Sequence, residues 1–358
     1  GARVGDLAED LKKEGVDVLV LLDGPDPDAE ARLKGGGVYY LSKNPPGPTK
    51  GHALAFVASR MGGERDAYDF ILVFDADMRL PEGFFRDLNV PDGTEVFQLP
   101  VRPAGVPAPG APRVEALSLA VARADDLARD AERLPVRLRG KAMGFSPGAF
   151  RLGPAASTRT TAEDSEATLR LSASGIRVRA LAGPTVFDEP SLSQGAMARS
   201  RARWFGGHLK LLFTGFADLL KIAAKSPKGA FVLGCDLWLR PRVFVLLALA
   251  FLAVGADIVL LYFSSSGAWT SLGAGSGGAA NGSSSLTLIE ILVLSLEAKF
   301  SLVFEWLSVA ALRRNTGYPS EVPAVTISDL LSSLAMWARA AGRGLLAPSR
   351  WHRARPPA

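Results

Sequence analysis

Through the first hundred residues, apolar runs of strand length alternate with segments patterned as helices, and this alternation most constrains the fold. Residues 4–14 place Val4, Leu7, Ala8 and Leu11 on one face, and residues 51–62 do the same with Leu54, Val57, Ala58 and Met61. Between and after them lie four apolar runs, 16–24, 37–43, 69–77 and 94–101. Alternation of this kind predicts an α/β layered domain, a mainly parallel sheet with helices on both faces. Such sheets bind ligands beyond the carboxyl ends of their strands. Asp23 ends the first run, and Asp75 and Asp77 end the third.

The pattern continues less regularly. A Pro/Gly loop is expected over 102–113, helices over 114–134 and 161–175, a Gly-punctuated strand or loop over 137–150, and a strand over 176–181. This catalytic-type domain is expected to occupy 1–195. From residue 196 the chain becomes basic and apolar together, which predicts amphipathic interfacial helices over 196–242. Hydrophobic residues make up 48% of the 358, and mean hydropathy is +0.16, so membrane segments are expected. Residues 243–263 carry one charge, Asp257, and are long enough to span a bilayer. Residues 286–312 are long enough too, although Glu290, Glu297, Lys299 and Glu305 must then face protein or water. Arg240 and Arg242 precede the first run and Arg313 and Arg314 follow the second. The positive-inside rule predicts a transmembrane hairpin over 243–314, with the sheet domain cytoplasmic in a multi-pass membrane protein. Residues 315–358 read as a basic, interfacial segment.

Net charge is +5, with no zinc finger, homeodomain or RNP signature, so no nucleic-acid partner is expected. Cys235 is the only cysteine, which excludes an intrachain disulfide or a cysteine metal site. The opening residues lack the apolar core of a signal peptide.

Each candidate site residue has a plain reading beside the functional one. Asp23 precedes Gly24, a common turn pair. Asp75 and Asp77 suit a hard cation such as Mg²⁺ or Mn²⁺, or a helix cap. Lys50 and His52 begin a helix, where anions bind, and are equally ordinary solvated residues. Glu163 and Asp164 sit in a first turn, which the helix dipole favours. Arg201, Arg203 and Trp204 fit a phosphate clamp or a membrane-surface helix.

In their order along the chain, these residues resemble the membrane-bound family 2 inverting glycosyltransferases, with a GT-A-like fold, the group of cellulose, hyaluronan and chitin synthases. The resemblance spans roughly residues 4–314. It implies that Asp23 binds the nucleotide base or uridine. It also implies that Asp75 and Asp77 form the D-x-D pair that holds the diphosphate through a divalent metal, Mg or Mn. "TAED" matches the T-E-D motif, which assigns the catalytic acids to Glu163 and Asp164, Asp164 being the general base. Arg203 and Trp204 match the end of Q-x-x-R-W, with Ser200 in place of the Gln, and Lys50, His52 and Arg201 join the substrate-binding set. "RGKAMGFSPGAF" resembles the acceptor-side loop. The implied activity is a hexosyltransferase-type transfer from a nucleotide-diphosphate sugar, UDP-linked by preference, to a lipid or growing glycan acceptor. Two departures shape the expectation. Ser200 and the small membrane part point to a lipid acceptor rather than a processive polymer. The family's first strand, ending near P-x-Y-N-E, is expected to be missing. A catalytically impaired membrane subunit and a sugar-1-phosphate nucleotidyltransferase are the alternatives.

Overall fold

The computed structural model describes residues 15–35, 38–47, 49–156, 158, 160–189, 194–238 and 327–346, with the single positions 255 and 259. The helix expected over 4–14 lies outside the described residues, as do both candidate membrane spans apart from those two positions. Among the described residues, no helix is long and apolar enough to cross a membrane. The chain divides into two units, one of Gly1–Trp238 with Val322–Ala358 and one of Leu239–Glu321.

The first unit opens with β1 (Leu19–Asp23), α1 (Pro27–Gly35) and β2 (Tyr39–Lys43), the strands pairing in parallel from Leu19↔Tyr39 to Asp23↔Lys43. Helix α1 was not among the expected elements. Asp26 caps it by accepting the Ala29 N–H at 3.0 Å, and Pro27 suits its first turn. Leu33 and Val38 pack with Val18, Val20, Leu22 and Tyr40 beneath this pair. Helix α2 (Lys50–Met61) follows, with Thr49 as N-cap accepting the His52 N–H at 3.3 Å.

The third apolar run is shorter as a strand than its sequence predicts. It forms β3 (Ile71–Val73), and a turn closed by Met78 N–H to Asp75 O carries Asp75–Asp77 before β4 (Met78–Arg79). After α3 (Phe84–Asp87), the fourth run splits into β5 (Val96–Gln98) and β6 (Val101–Pro103). Pro100 has no N–H to continue a ladder, and its carbonyl instead accepts Val186 N–H at 2.8 Å. Helix α4 (Ala111–Ala131), β7 (Met143–Phe145), α5 (Pro147–Leu152), α6 (Glu163–Ala173), β8 (Val178–Ala180) and β9 (Val186–Asp188) complete the layers.

The expectation of a mainly parallel sheet is corrected. One sheet runs β3-β7-β5-β8, in which β7 pairs antiparallel with both neighbours and β5/β8 are parallel; another runs β4-β9-β6, antiparallel and then parallel. Apolar periodicity reports that a strand exists and not its direction, and β7 returns after the long α4 connection to run against both neighbours; just before it, Gly140 (φ 77°) and Ala142 (φ 52°) are left-handed. Gly144 is required in β7 because the Phe97 ring lies where a Cβ would stand. Phe70 meets Phe97 edge-on at 5.3 Å, and Phe84, Leu99 and Val186 close that core. On the other side Leu138, Phe145, Phe150, Leu171 and Val178 form the second core.

Helices α7 (Gln194–Thr214), α8 (Phe216–Lys225) and α9 (Pro227–Trp238) cover α6, with Leu211, Ile222, Leu233 and Leu237 buried on Leu169 and Ala173. Helix α10 (Ile327–Leu346) packs on α7 and α4, burying Met336, Trp337 and Ala340. Asp329 accepts the Gly110 N–H at 2.5 Å, so α10 caps the start of α4.

Buried charges are paired. Arg129 lies between Asp236 (2.5 and 3.1 Å) and Asp125 (2.7 Å), and Arg139 binds Asp126 at 2.5 Å. Removing one partner strands a buried charge at about 3–5 kcal/mol. Asp236→Ala should therefore lower unfolding free energy by about that amount in a denaturant titration, whereas Asp218→Ala at the exposed Lys221 pair should cost under about 1 kcal/mol. Equal effects would show that the Arg129–Asp236 pair does not hold α9 to α4.

Candidate active site

Asp23 lies at the end of β1 and is 8% exposed. Its Oδ1 accepts the Gly47 N–H at 2.7 Å, which fixes the turn leading into α2. Its Oδ2 is buried with no hydrogen-bond partner, a costly state for a carboxylate oxygen.

Lys50 begins α2, and its ammonium reaches across two other segments. It pairs with Asp75 Oδ1 and donates to Gly140 O at 2.5 Å. Burial alone would lower its pKa, but Asp75, with Glu163 and Asp164 behind it, holds it above the ordinary lysine value. Gly51 is required beside it because Thr158 fills the space a Cβ would need.

Asp77 has its pKa raised by burial and by the charges of Asp75 and Asp188, against the pull of Lys141. Lys141 pairs with Asp188 at the end of β9. Asp75, Asp77 and Asp188 thus put three carboxylates near two ammonium groups. Among the described residues no three acidic, His or Cys side chains are gathered closely enough to form a metal cage.

Helix α6 begins with Glu163 and Asp164. Burial, and then Asp164, push Glu163 up to about 7, opposed by Lys50 and Arg203. Asp164 Oδ1 accepts the Ser165 N–H at 2.7 Å. Asp164 is 8% exposed, and a Cβ at Gly140 would stand 3.6 Å from its Oδ2, in ordinary contact. Glu166 holds the entry to α6 by accepting Thr160 N–H and Oγ–H at 3.1 and 3.2 Å.

Helix α7 packs directly on that entry. A side chain at Gly207 would meet Ala162 N and Thr161 Oγ1 at 2.6 Å, and Thr161 Oγ–H donates to Arg203 O at 2.8 Å. Arg203 lies in the field of Glu163 and Asp75, and burial lowers its pKa. His208 bridges the helices, Nδ1 meeting Trp204 O at 3.1 Å and Nε2 meeting Ser165 Oγ at 3.0 Å. A carbonyl only accepts, so Nδ1 carries the proton. Burial lowers the pKa of His208, so the neutral ring takes Ser165 O–H at Nε2.

Of the residues singled out from the sequence, Lys50, Asp75, Asp77, Glu163, Asp164 and Arg203 come together, while Asp23 is tied to the turn before α2 through Gly47. Three others are engaged in packing. His52 Nδ1 lies 2.8 Å from Thr49 Oγ1 and 3.4 Å from Thr158 Oγ1. Arg201 pairs with Glu115 and lies 5.5 Å over the Trp337 ring. Two residues apart on a helix, Arg201 and Arg203 point to opposite faces. The Trp204 ring stacks 4.0 Å from His208 and 6.4 Å from Trp337. Gln98, Gly140, Lys141, Asp188 and His208 were not singled out. Asp188 had a signal, an acid ending a short apolar run in "VFDEP"; so had Gln98, a polar residue inside "EVFQLPV".

No protein-family model and no curated protein matches the chain. Among solved structures, it is similar to glucosyl-3-phosphoglycerate synthase from Mycobacterium tuberculosis, solved with phosphoglyceric acid. Identity is 17% over 58% of this chain and 75% of that chain, with a TM-score of 0.40. At that level the functional reading rests on the site's own residues.

Glu163 gives a pH signature. Unfolded, it loses its proton near 4.5; folded, it keeps it to about 7. Between those values the folded chain binds the extra proton, so stability falls as pH rises through this window and stays lower above it. Glu163→Gln should remove that loss: its melting temperature relative to the parent should climb from pH 4.5 to pH 7.5. A difference independent of pH would contradict the raised pKa.

Proposed function

We propose that the chain is an inverting glycosyltransferase of GT-A type that transfers a sugar from a nucleotide-diphosphate sugar. The observation that carries this reading is the meeting of Lys50 and Arg203 with Asp75, Asp77, Glu163 and Asp164; Asp23, at the end of β1, adds a buried oxygen with no hydrogen-bond partner among the described residues. Each group has a use in that reaction. Asp23 Oδ2 accepts an N–H of the nucleotide base, the partner it otherwise lacks. UDP is the favoured carrier.

The donor set around Asp77 fits a hard divalent cation. Its carboxyl lies among other carboxylates that leave surplus negative charge, and Mg²⁺ or Mn²⁺ binds readily through two carboxylates plus substrate phosphates. Asp77 and the free oxygen of Asp75 would hold the cation, which supplies Lewis-acid neutralisation of the leaving diphosphate. Lys50 and Arg203 add fixed positive charge on the same side. The likeness to the T-E-D motif gives Asp164 the role of proton acceptor, with Glu163 beside it pushed up to about 7 by burial and by the Asp164 charge. Asp164 Oδ2, beside Gly140, takes the acceptor's hydroxyl proton as that oxygen attacks the anomeric carbon. One base and in-line attack invert the configuration.

A lipid acceptor at a membrane face is part of the proposal. Phe213, Phe216, Leu220 and Phe231 on α7–α9 are 57–79% exposed, close in sequence to Lys210, Lys221 and Lys228. Aromatic and basic side chains together suit the surface of an anionic bilayer. The apolar runs at 243–263 and 286–312 support a multi-pass anchor with the catalytic unit on the cytoplasmic side.

Asp164→Asn should reduce sugar transfer by about 10²–10⁴-fold, the usual worth of a positioned base, while leaving UDP affinity within about twofold. Radiolabelled sugar transfer and calorimetric titration measure the two. Retained turnover would remove Asp164 from the role of base.

A further inference from the structure

Gln98 is buried to 1% exposure at the end of β5, beside the buried Val96, Phe97 and Leu99, where an apolar side chain would be expected. All of its hydrogen-bonding groups are used, on one loop and its own strand. Nε2 donates to Lys141 O at 2.9 Å, to Ala142 O at 3.1 Å and to Leu99 O at 3.1 Å. Oε1 accepts the Arg139 N–H at 2.9 Å. One amide therefore pins residues 139–142 from both donor and acceptor sides.

That loop is unusual in its own right. It holds two left-handed residues, Gly140 and Ala142, and a non-glycine residue at positive φ persists only where its surroundings fix it. The loop's other groups meet the active site. Gly140 O receives Lys50 Nζ at 2.5 Å, Gly140 lies over Asp164, and Lys141 pairs with Asp188 and lies in the field of Asp77. The neighbouring Arg139 is held separately by Asp126 and Ala122 O. Lys50 at Gly140 O, Asp188 at Lys141 and the Leu99 N–H to Ala142 O at 2.9 Å also tie the loop, and Gln98 is the side chain that holds it through both a donor and an acceptor.

We propose that Gln98 is a positioning residue: its side-chain amide sets the 139–142 loop so that Lys50 and Lys141 present a preset pair of cations to the diphosphate of the bound nucleotide. This rests on the glycosyltransferase reading above. Gln98 touches no substrate; it acts through the Gly140 carbonyl and the Lys141 backbone. A preorganised cation pair binds phosphate without reordering at the moment of binding.

The test compares UDP with uridine by calorimetric titration of the full chain with Mn²⁺ present. Gln98→Met keeps size and apolar fit while deleting the amide. UDP affinity should fall about tenfold or more, uridine affinity should change less than twofold, and Lys141→Met should do the same. In the double variant the losses should not add, because both act on one cation. Exchange of the Gly140 and Lys141 amides should also rise in Gln98→Met. Equal weakening of UDP and uridine, or additive losses, would overturn the proposal, since a purely structural role predicts those. Should Gln98→Met fail to fold, Lys141→Met decides: unchanged UDP affinity there sinks the idea. Parent protein that binds neither UDP nor uridine would instead overturn the nucleotide-sugar reading, which keeps the two failures distinct.

Discussion

The ammonium of Lys50 ties together three parts of the chain that are far apart in sequence. It begins α2, pairs with Asp75 after β3, and donates to the carbonyl of Gly140 before β7. Its charge is opposed by burial and sustained by the carboxylates around it, so the lysine and the acids stabilise one another's ionised forms. Take the lysine away and Asp75 loses its counter-ion while the loop over Asp164 loses an anchor. The site is therefore built on one electrostatic knot, with the surrounding elements holding its strands in place.

Those elements are fixed by close backbone approaches as much as by apolar burial. Gly51 lets α2 reach Thr158, Gly144 lets Phe97 cross β7, and Gly207 lets α7 sit on the entry to α6. A methyl group at any of these would push an active-site segment outward. Farther back, Arg129 and Asp236 join α4 to α9, and Asp329 caps α4 from α10. The buried charges hold helices whose apolar faces alone could slide. The neutral His208 adds a directed link between Trp204 and Ser165, one residue past Asp164.

Much of this was legible in the sequence, for physical reasons. Acids ending apolar runs identified Asp23, Asp75 and Asp77, because strand ends place side chains at the sheet's rim. The first-turn acids Glu163 and Asp164 were legible from helix-start chemistry. Sheet direction was not. Periodicity reports that a strand exists and not the direction in which β7 runs, and nothing in the side chain of Ala142 announces its left-handed backbone. Three side chains grouped with the site by sequence, His52, Arg201 and Trp204, are held in packing contacts because helix geometry turns them away from Lys50 and Arg203. Gln98 escaped notice, and Lys141 was legible only as part of the "RGKAMGFSPGAF" loop, because their contacts join segments about forty residues apart.

On the proposed reading, Asp75 and Asp77 join a nucleotide's diphosphate through a divalent cation beside Lys50. Calorimetric titration of UDP and GDP into the full chain, with and without Mn²⁺, tests it most directly when repeated on Asp77→Asn. The account predicts that one of these nucleotides binds, that Mn²⁺ strengthens binding at least tenfold, and that Asp77→Asn removes the metal's contribution while leaving the metal-free affinity nearly unchanged. Binding of neither nucleotide, or a Mn²⁺ effect that survives intact in Asp77→Asn, would contradict it.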